Sequence, residues 1–125
     1  MVMNVEEVRE YCLSLPMVTE DMAFGEEHLL FRINGKIFAC LALDGEEDYL
    51  AVKCDPDYAL DLRDRYEDIE GAFHWNKKYW NQLRLRGNLG SSIICGLIRH
   101  SYSEVAKKMP KKFRDAHPDV ATIRE

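Results

Sequence analysis

The stretch "HLLFRINGKIFACLAL", His28 to Leu43, decides how the rest of the chain is read. Its two apolar runs are separated by Asn34-Gly35, a pair that accepts the positive φ needed at both centres of a two-residue hairpin turn. Counting outward from the turn sets Ile33 against Lys36, Arg32 against Ile37 and Phe31 against Phe38. The stretch is therefore read as an antiparallel hairpin whose side chains alternate between two faces. Beyond it, "DGEED" (Asp44–Asp48) reads as a second turn and "YLAVK" (Tyr49–Lys53) as a third strand.

Upstream, Asn4 followed by Glu7 has the pattern of a capping box. Val5, Val8, Cys12 and Leu15 then fall on one helical stripe, which Pro16 ends. "MVTEDMAFGEE" reads as a polar, turn-rich loop. Downstream, Asp55-Pro56 supplies an N-cap and a proline at the first helical position. Tyr58, Leu62 and Tyr66 extend that helix over 56–66. "EDIEG" reads as an acidic linker and Trp80–Leu85 as a fourth strand. Ile94, Leu97, Ile98, Val105 and Met109 give a long amphipathic helix from Ser91 to Met109, which Pro110 stops. The order α-β-β-β-α-β-α predicts an α+β fold, an antiparallel sheet with packed helices. The 125 residues form one domain, with a core over 4–109 and a loosely held polar tail over 110–125.

Composition narrows the function classes. No apolar run approaches the roughly 20 residues that span a bilayer. The N-terminus is acidic and lacks the pattern of a signal peptide, so a cytoplasmic location without membrane attachment is expected. Cys12, Cys40, Cys54 and Cys95 form no CxxC pair and are expected as reduced, small core residues. The histidines have no metal-ligand spacing, and neither a metal nor a cofactor is expected. The net charge of −5 hides an asymmetry. Residues 1–70 carry 18 Asp/Glu against 6 Lys/Arg, and residues 71–125 carry 4 against 11. Either the two halves pair across the surface, or the second half offers a basic face to an anion.

The densest chemistry lies in "HWNKKYWN", His74 to Asn81, which holds both tryptophans of the chain. Trp75, Tyr79 and Trp80 offer stacking faces. Lys77 and Lys78 offer point charges, and His74, Asn76 and Asn81 offer donors and acceptors. Taken alone, Trp80 reads as a core residue and the lysine pair as a solvated turn. Aromatics interleaved with basic groups suit a strand that carries both phosphates and bases.

The chain resembles the MmcQ/YjbR family of small bacterial proteins. The likeness runs over residues 4–109, through "FG" at Phe24-Gly25, "FR" at Phe31-Arg32 and "GKIF" at Gly35–Phe38. It continues with "VK" at Val52-Lys53 followed by Pro56, "HWNKKYWN", and "SY" at Ser101-Tyr102. The resemblance implies an α+β, secretion-chaperone-like fold and a family commonly labelled DNA-binding, with no catalytic residues. It places a polar signature on Lys36, Lys53, His74, Asn76, Lys77, Trp80 and Asn81. Lys36 and Lys53 are expected to converge with Lys77 on one rim of the sheet.

The leading expectation is thus a non-catalytic nucleic-acid-binding module using Lys36, Lys53, His74, Asn76, Lys77, Lys78, Trp80 and Asn81. The basic run Lys107, Lys108, Lys111, Lys112 and Arg114 would add non-specific attraction. The alternatives are a protein-binding adaptor and a binder of a small anionic ligand at the same sheet edge. An enzyme with His74 as general base is a weaker reading, because no nucleophile or catalytic motif accompanies it.

Overall fold

The computed structural model describes residues 2–43 and 47–123. Helix α1 (Val5–Ser14) starts on the expected capping box: the Glu7 N–H donates to Asn4 Oδ1 at 2.8 Å, and the Asn4 N–H to the Glu7 carboxylate at 3.1 Å. Six strands follow: β1 (Val18–Asp21), β2 (His28–Ile33), β3 (Lys36–Leu43), β4 (Asp48–Lys53), β5 (Ile69–Gly71) and β6 (Trp80–Arg84). Helix α2 (Pro56–Arg65) lies between β4 and β5 in the chain, with Asp55 as N-cap and Pro56 at its first turn. Helices α3 (Ser91–Ala106), α4 (Lys111–Ala116) and α5 (Pro118–Ala121) complete the order. The sheet runs β1-β2-β3-β4-β6-β5 with antiparallel pairing throughout. The architecture is the α+β layering that the sequence predicts.

The helices gather on one face. Phe31, Leu41, Leu50 and Leu83 of the sheet bury against Ile94, Ile98 and Tyr102 of α3, and Val8, Ala59 and Leu62 of α1 and α2 join the same core. The other face has only a small second core of Leu30, Cys40, Ala51, Ala72 and Trp80. Its cover is not a helix but the segment before β6, through Trp75 and Tyr79.

Four features differ from the sequence reading. Arg32 faces Ile37 as expected, but Phe31 pairs with Ala39 rather than Phe38. Phe38 is the extra residue of a β-bulge, so Phe38 and Ala39 both reach the main core. Strand β1 occupies part of the expected polar loop; its sequence, "VTED", has no run of apolar residues to mark it. Strand β5 is only three residues of the expected linker. The tail is not loosely held: it forms α4 and α5, and Val120 is completely buried in the main core with Phe113 and Ile123 packed against it. These elements are too short for helical periodicity to reveal them. Of the expected Asp44–Asp48 turn, residues 44–46 lie outside the described residues.

The four cysteines are free thiols, as expected, with Cys12, Cys40 and Cys54 buried. Burial pushes the Cys12 thiol up and that of Cys40 up to about 11. Burial also raises Cys95, and the Arg99 charge partly opposes it. Folded thiols therefore stay neutral where unfolded ones ionise. Their contribution to stability is complete below the ordinary thiol pKa of about 8.5 and is lost as pH rises towards the folded values. Denaturant midpoints should accordingly fall between about pH 9 and 11. In native protein, a thiol reagent should label half-buried Cys95 first and reach Cys12 and Cys40 only on unfolding.

Candidate functional site

The polar positions of the sequence motifs divide into pins that hold the fold and groups that remain available. Ser101 is a pin. Its buried hydroxyl accepts a hydrogen bond from the Lys53 N–H at 2.8 Å and donates to the carbonyl of Phe38, the bulge residue that the sheet ladder skips. One turn of α3 thereby fastens the ends of β3 and β4. Next to it, His100 Nε2 accepts from the Asp55 N–H at 3.2 Å, and the Tyr102 hydroxyl donates to the Pro16 carbonyl at 2.6 Å.

Asn81 is a second pin. It is almost wholly buried; its Oδ1 accepts from Arg63 Nε at 2.6 Å and its amide donates to the Ala59 carbonyl at 3.2 Å. Arg63 also reaches the carbonyls of Lys77 and Trp80. This ties α2 to both ends of the 77–81 turn. Trp80 is 9% exposed and stacks on Trp75 at a centroid distance of 4.4 Å. Asn76 uses its side chain locally, accepting from the Lys78 N–H at 3.0 Å.

The lysines separate. Lys36 at the start of β3 and Lys53 at the end of β4 share a depression of about 500 Å3 with Lys108, beside Asn34 and Met109. Burial lowers the pKa of Lys53, Lys108 and Lys36 lower it further, and Glu104 opposes them. Glu104 is itself engaged by Lys107 at 2.5 Å. Lys77 is not among the residues lining this depression. It lies at the β5 edge, where its Nζ stands 5.5 Å from the Phe73 ring centre and its stem runs beside Gly71. Lys78 reaches over Tyr79. Of the other basic tail residues, Lys111 pairs with Asp115 at 2.8 Å, and Arg114 Nε donates to the Met109 carbonyl at 3.0 Å.

A second hollow, of about 720 Å3, lies on the helix-free face at the opposite end of the strands. It is lined by Glu27, His28, Ala42, Glu47, Tyr49, Phe73, His74 and Gln82. Sheet pairing assembles it: His28 lies opposite Ala42, and Ala42 opposite Tyr49. His74 comes from the covering segment and meets His28 edge to face at 6.0 Å. Gln82 holds the segment in place, accepting from the Phe73 N–H at 3.2 Å and donating to Glu70 at 2.8 Å. The Arg84 guanidinium grips Glu47 and holds its carboxyl below the usual range. Of these residues the sequence pattern singled out Gln82, as a donor and acceptor, and His74, which alone stood among the candidate binding residues. The others come from separate strands, and no local motif joins them. Among the described residues no group of three or more His, Cys, Asp or Glu is placed to hold a metal ion. No helix among them is long and apolar enough to cross a membrane.

The chain is similar to known proteins over most of its length. The family model for YjbR matches residues 13–104. The uncharacterized protein YjbR of Escherichia coli K12 is 24% identical over 112 residues, covering 90% of this chain and 95% of that protein. The uncharacterized protein YbdF of Escherichia coli O157:H7 is 28% identical over 107 residues, covering 86% and 88%. The crystal structure of Deinococcus radiodurans protein DR2400, with its DUF419 domain, superposes with a TM-score of 0.85 at 28% identity, covering 92% of this chain and 88% of that one. A Pseudomonas syringae protein gives a TM-score of 0.70 at 26% identity, covering 79% and 96%.

Proposed function

The chain belongs to the YjbR family, and we propose that it is a non-catalytic binding protein that takes the phosphates of nucleic acid on the rim formed by Lys36, Lys53 and Lys108. The observation that carries this reading is the convergence of those three ammonium groups around one depression. Burial first, and then the like charges of Lys108 and Lys36, disfavour the Lys53 ammonium in the free protein and lower its pKa. A bound phosphate reverses it, so anion binding and proton retention on Lys53 are linked. The site also suits a backbone contact: three point charges recognise phosphate without reading base identity. Lys77 and Lys78, held over their neighbouring rings at the far side of β6, are secondary contacts in this reading.

The test is fluorescence anisotropy with labelled single- and double-stranded DNA at several salt concentrations. The wild type should bind at low salt and weaken as salt rises. Lys53→Ala/Lys108→Ala should lower affinity about tenfold and flatten the log–log salt dependence by about 0.7–0.9 per lost contact. Lys77→Ala/Lys78→Ala should do less. Absence of wild-type binding at low salt, or unchanged binding by the Lys53/Lys108 variant, overturns the assignment.

A further inference from the structure

We propose that the helix-free face docks a basic, apolar-bearing segment of a partner protein, with an arginine or lysine side chain entering the hollow between Glu27 and Glu47. This is a different surface from the lysine rim, at the other end of the strands, and needs a ligand of opposite charge.

The face carries no helix among the described residues, and only the segment before β6 packs on it, through Trp75 and Tyr79. Helices α1, α2, α3 and α5 all bury their apolar residues in the core on the opposite side. What remains outward is aromatic: Phe73 is 66% exposed and Phe24 59%, and Phe24 stands 6.1 Å from Trp75. Phe73 lines the hollow, and Phe24 lies against Trp75, two residues further along the same covering segment; exposed apolar side chains beside a concavity mark a protein interface.

Charge complementarity selects the occupant. The hollow adjoins a smaller one of about 180 Å3 that shares Glu47 and Tyr49 and adds Glu67, Asp68 and Glu70. Together the two linings hold five carboxylates and one guanidinium, Arg84. Arg84 is already committed: it grips Glu47 and lies 3.8 Å from Asp68. Glu27 pairs with no cation among the described residues, and its backbone carbonyl fixes its place by accepting from the Leu43 N–H at 2.8 Å. Nucleic acid is repelled by such a lining. A cationic side chain is attracted, as the Lys77 ammonium already is to the Phe73 ring, 5.5 Å from its centre. A small polyamine would satisfy the carboxylates but leave Phe24 and Phe73 in water. A peptide segment carrying both charge and apolar side chains covers both.

The experiment is a titration of nitrogen-15-labelled protein and, in parallel, an anisotropy titration. The probe is a short labelled peptide alternating arginine with leucine. The controls are a peptide alternating glutamate with leucine, and spermine as competitor. The expected result is binding of the arginine peptide alone, with amide shifts at Ala42, Tyr49, His74 and Gln82. Glu27→Lys should weaken it about tenfold or more, and Phe73→Ser several-fold. Both positions are exposed, and far-UV circular dichroism checks that both variants fold. Lys53→Ala/Lys108→Ala should leave peptide binding unchanged, so failure here and failure of the phosphate rim are separable. Undiminished binding by Glu27→Lys, shifts confined to the lysine rim, or displacement by spermine at concentrations equal to the peptide's overturns the proposal.

Discussion

Replacing Ser101 by alanine should destabilise the protein by about 2–4 kcal/mol, although it removes one oxygen atom and opens little space. The magnitude follows from what the hydroxyl does. It satisfies the Lys53 N–H and the Phe38 carbonyl at once: Phe38 is the residue that the β2–β3 ladder skips, and Lys53 lies just past the last β3–β4 pair, Ala39–Val52. A buried donor or acceptor left without a partner costs about 1–3 kcal/mol, and here one of each is stranded. For a domain held by about 5–15 kcal/mol this is a large fraction. Urea unfolding followed by circular dichroism measures it. Ser103→Ala, two residues on and partly exposed, should stay within about 0.5 kcal/mol. A Ser101→Ala loss below about 1 kcal/mol would mean that water or a backbone shift replaces the hydroxyl.

The second large effect is expected at Asn81. Asn81→Ala leaves Arg63 and the Ala59 carbonyl without their buried partner and should cost about 2–3 kcal/mol. Arg63→Ala should cost a similar amount, since it releases Asn81 and the carbonyls of Lys77 and Trp80 together. Because the two side chains belong to one network, the double variant should fall short of the summed losses by about 1–2 kcal/mol. Strict additivity would show that Arg63 and Asn81 act separately. Tryptophan fluorescence should also change in either variant, because Trp75 rests on Trp80 in the segment that this network anchors.

These two residues show where the sequence could be read and where it could not. The hairpin, the capped α1, the Asp55-Pro56 start of α2 and the stripe of α3 follow from local signals, and each is present. The bulge has no local signal. It inserts Phe38 and shifts every later β3 residue by one, so that Ala42 rather than Leu41 stands opposite His28. A reading without it turns the wrong side of β3 towards the hollow. The motif "HWNKKYWN" was legible as a concentration of chemistry but not as a division of labour. Asn81 and Trp80 face buried partners, whereas His74, Lys77 and Lys78 are exposed. Only pairing in three dimensions separates them. The Lys36–Lys53 convergence was readable from strand ends, but Lys108 joins it from the turn after α3, whose direction no periodicity could give.

The outer strands of the sheet carry a consequence for self-association. An open sheet presents backbone donors and acceptors at its margins, and long, flat, apolar margins template aggregation. Here one margin is β1, four residues with Glu20 and Asp21 held by Arg9 and Arg32, and the other is β5, three residues with Glu70 at its centre. Both are too short and too charged to recruit another chain strand by strand. The protein can therefore leave the aromatic side of its sheet in water while its margins resist the growth of intermolecular β-structure.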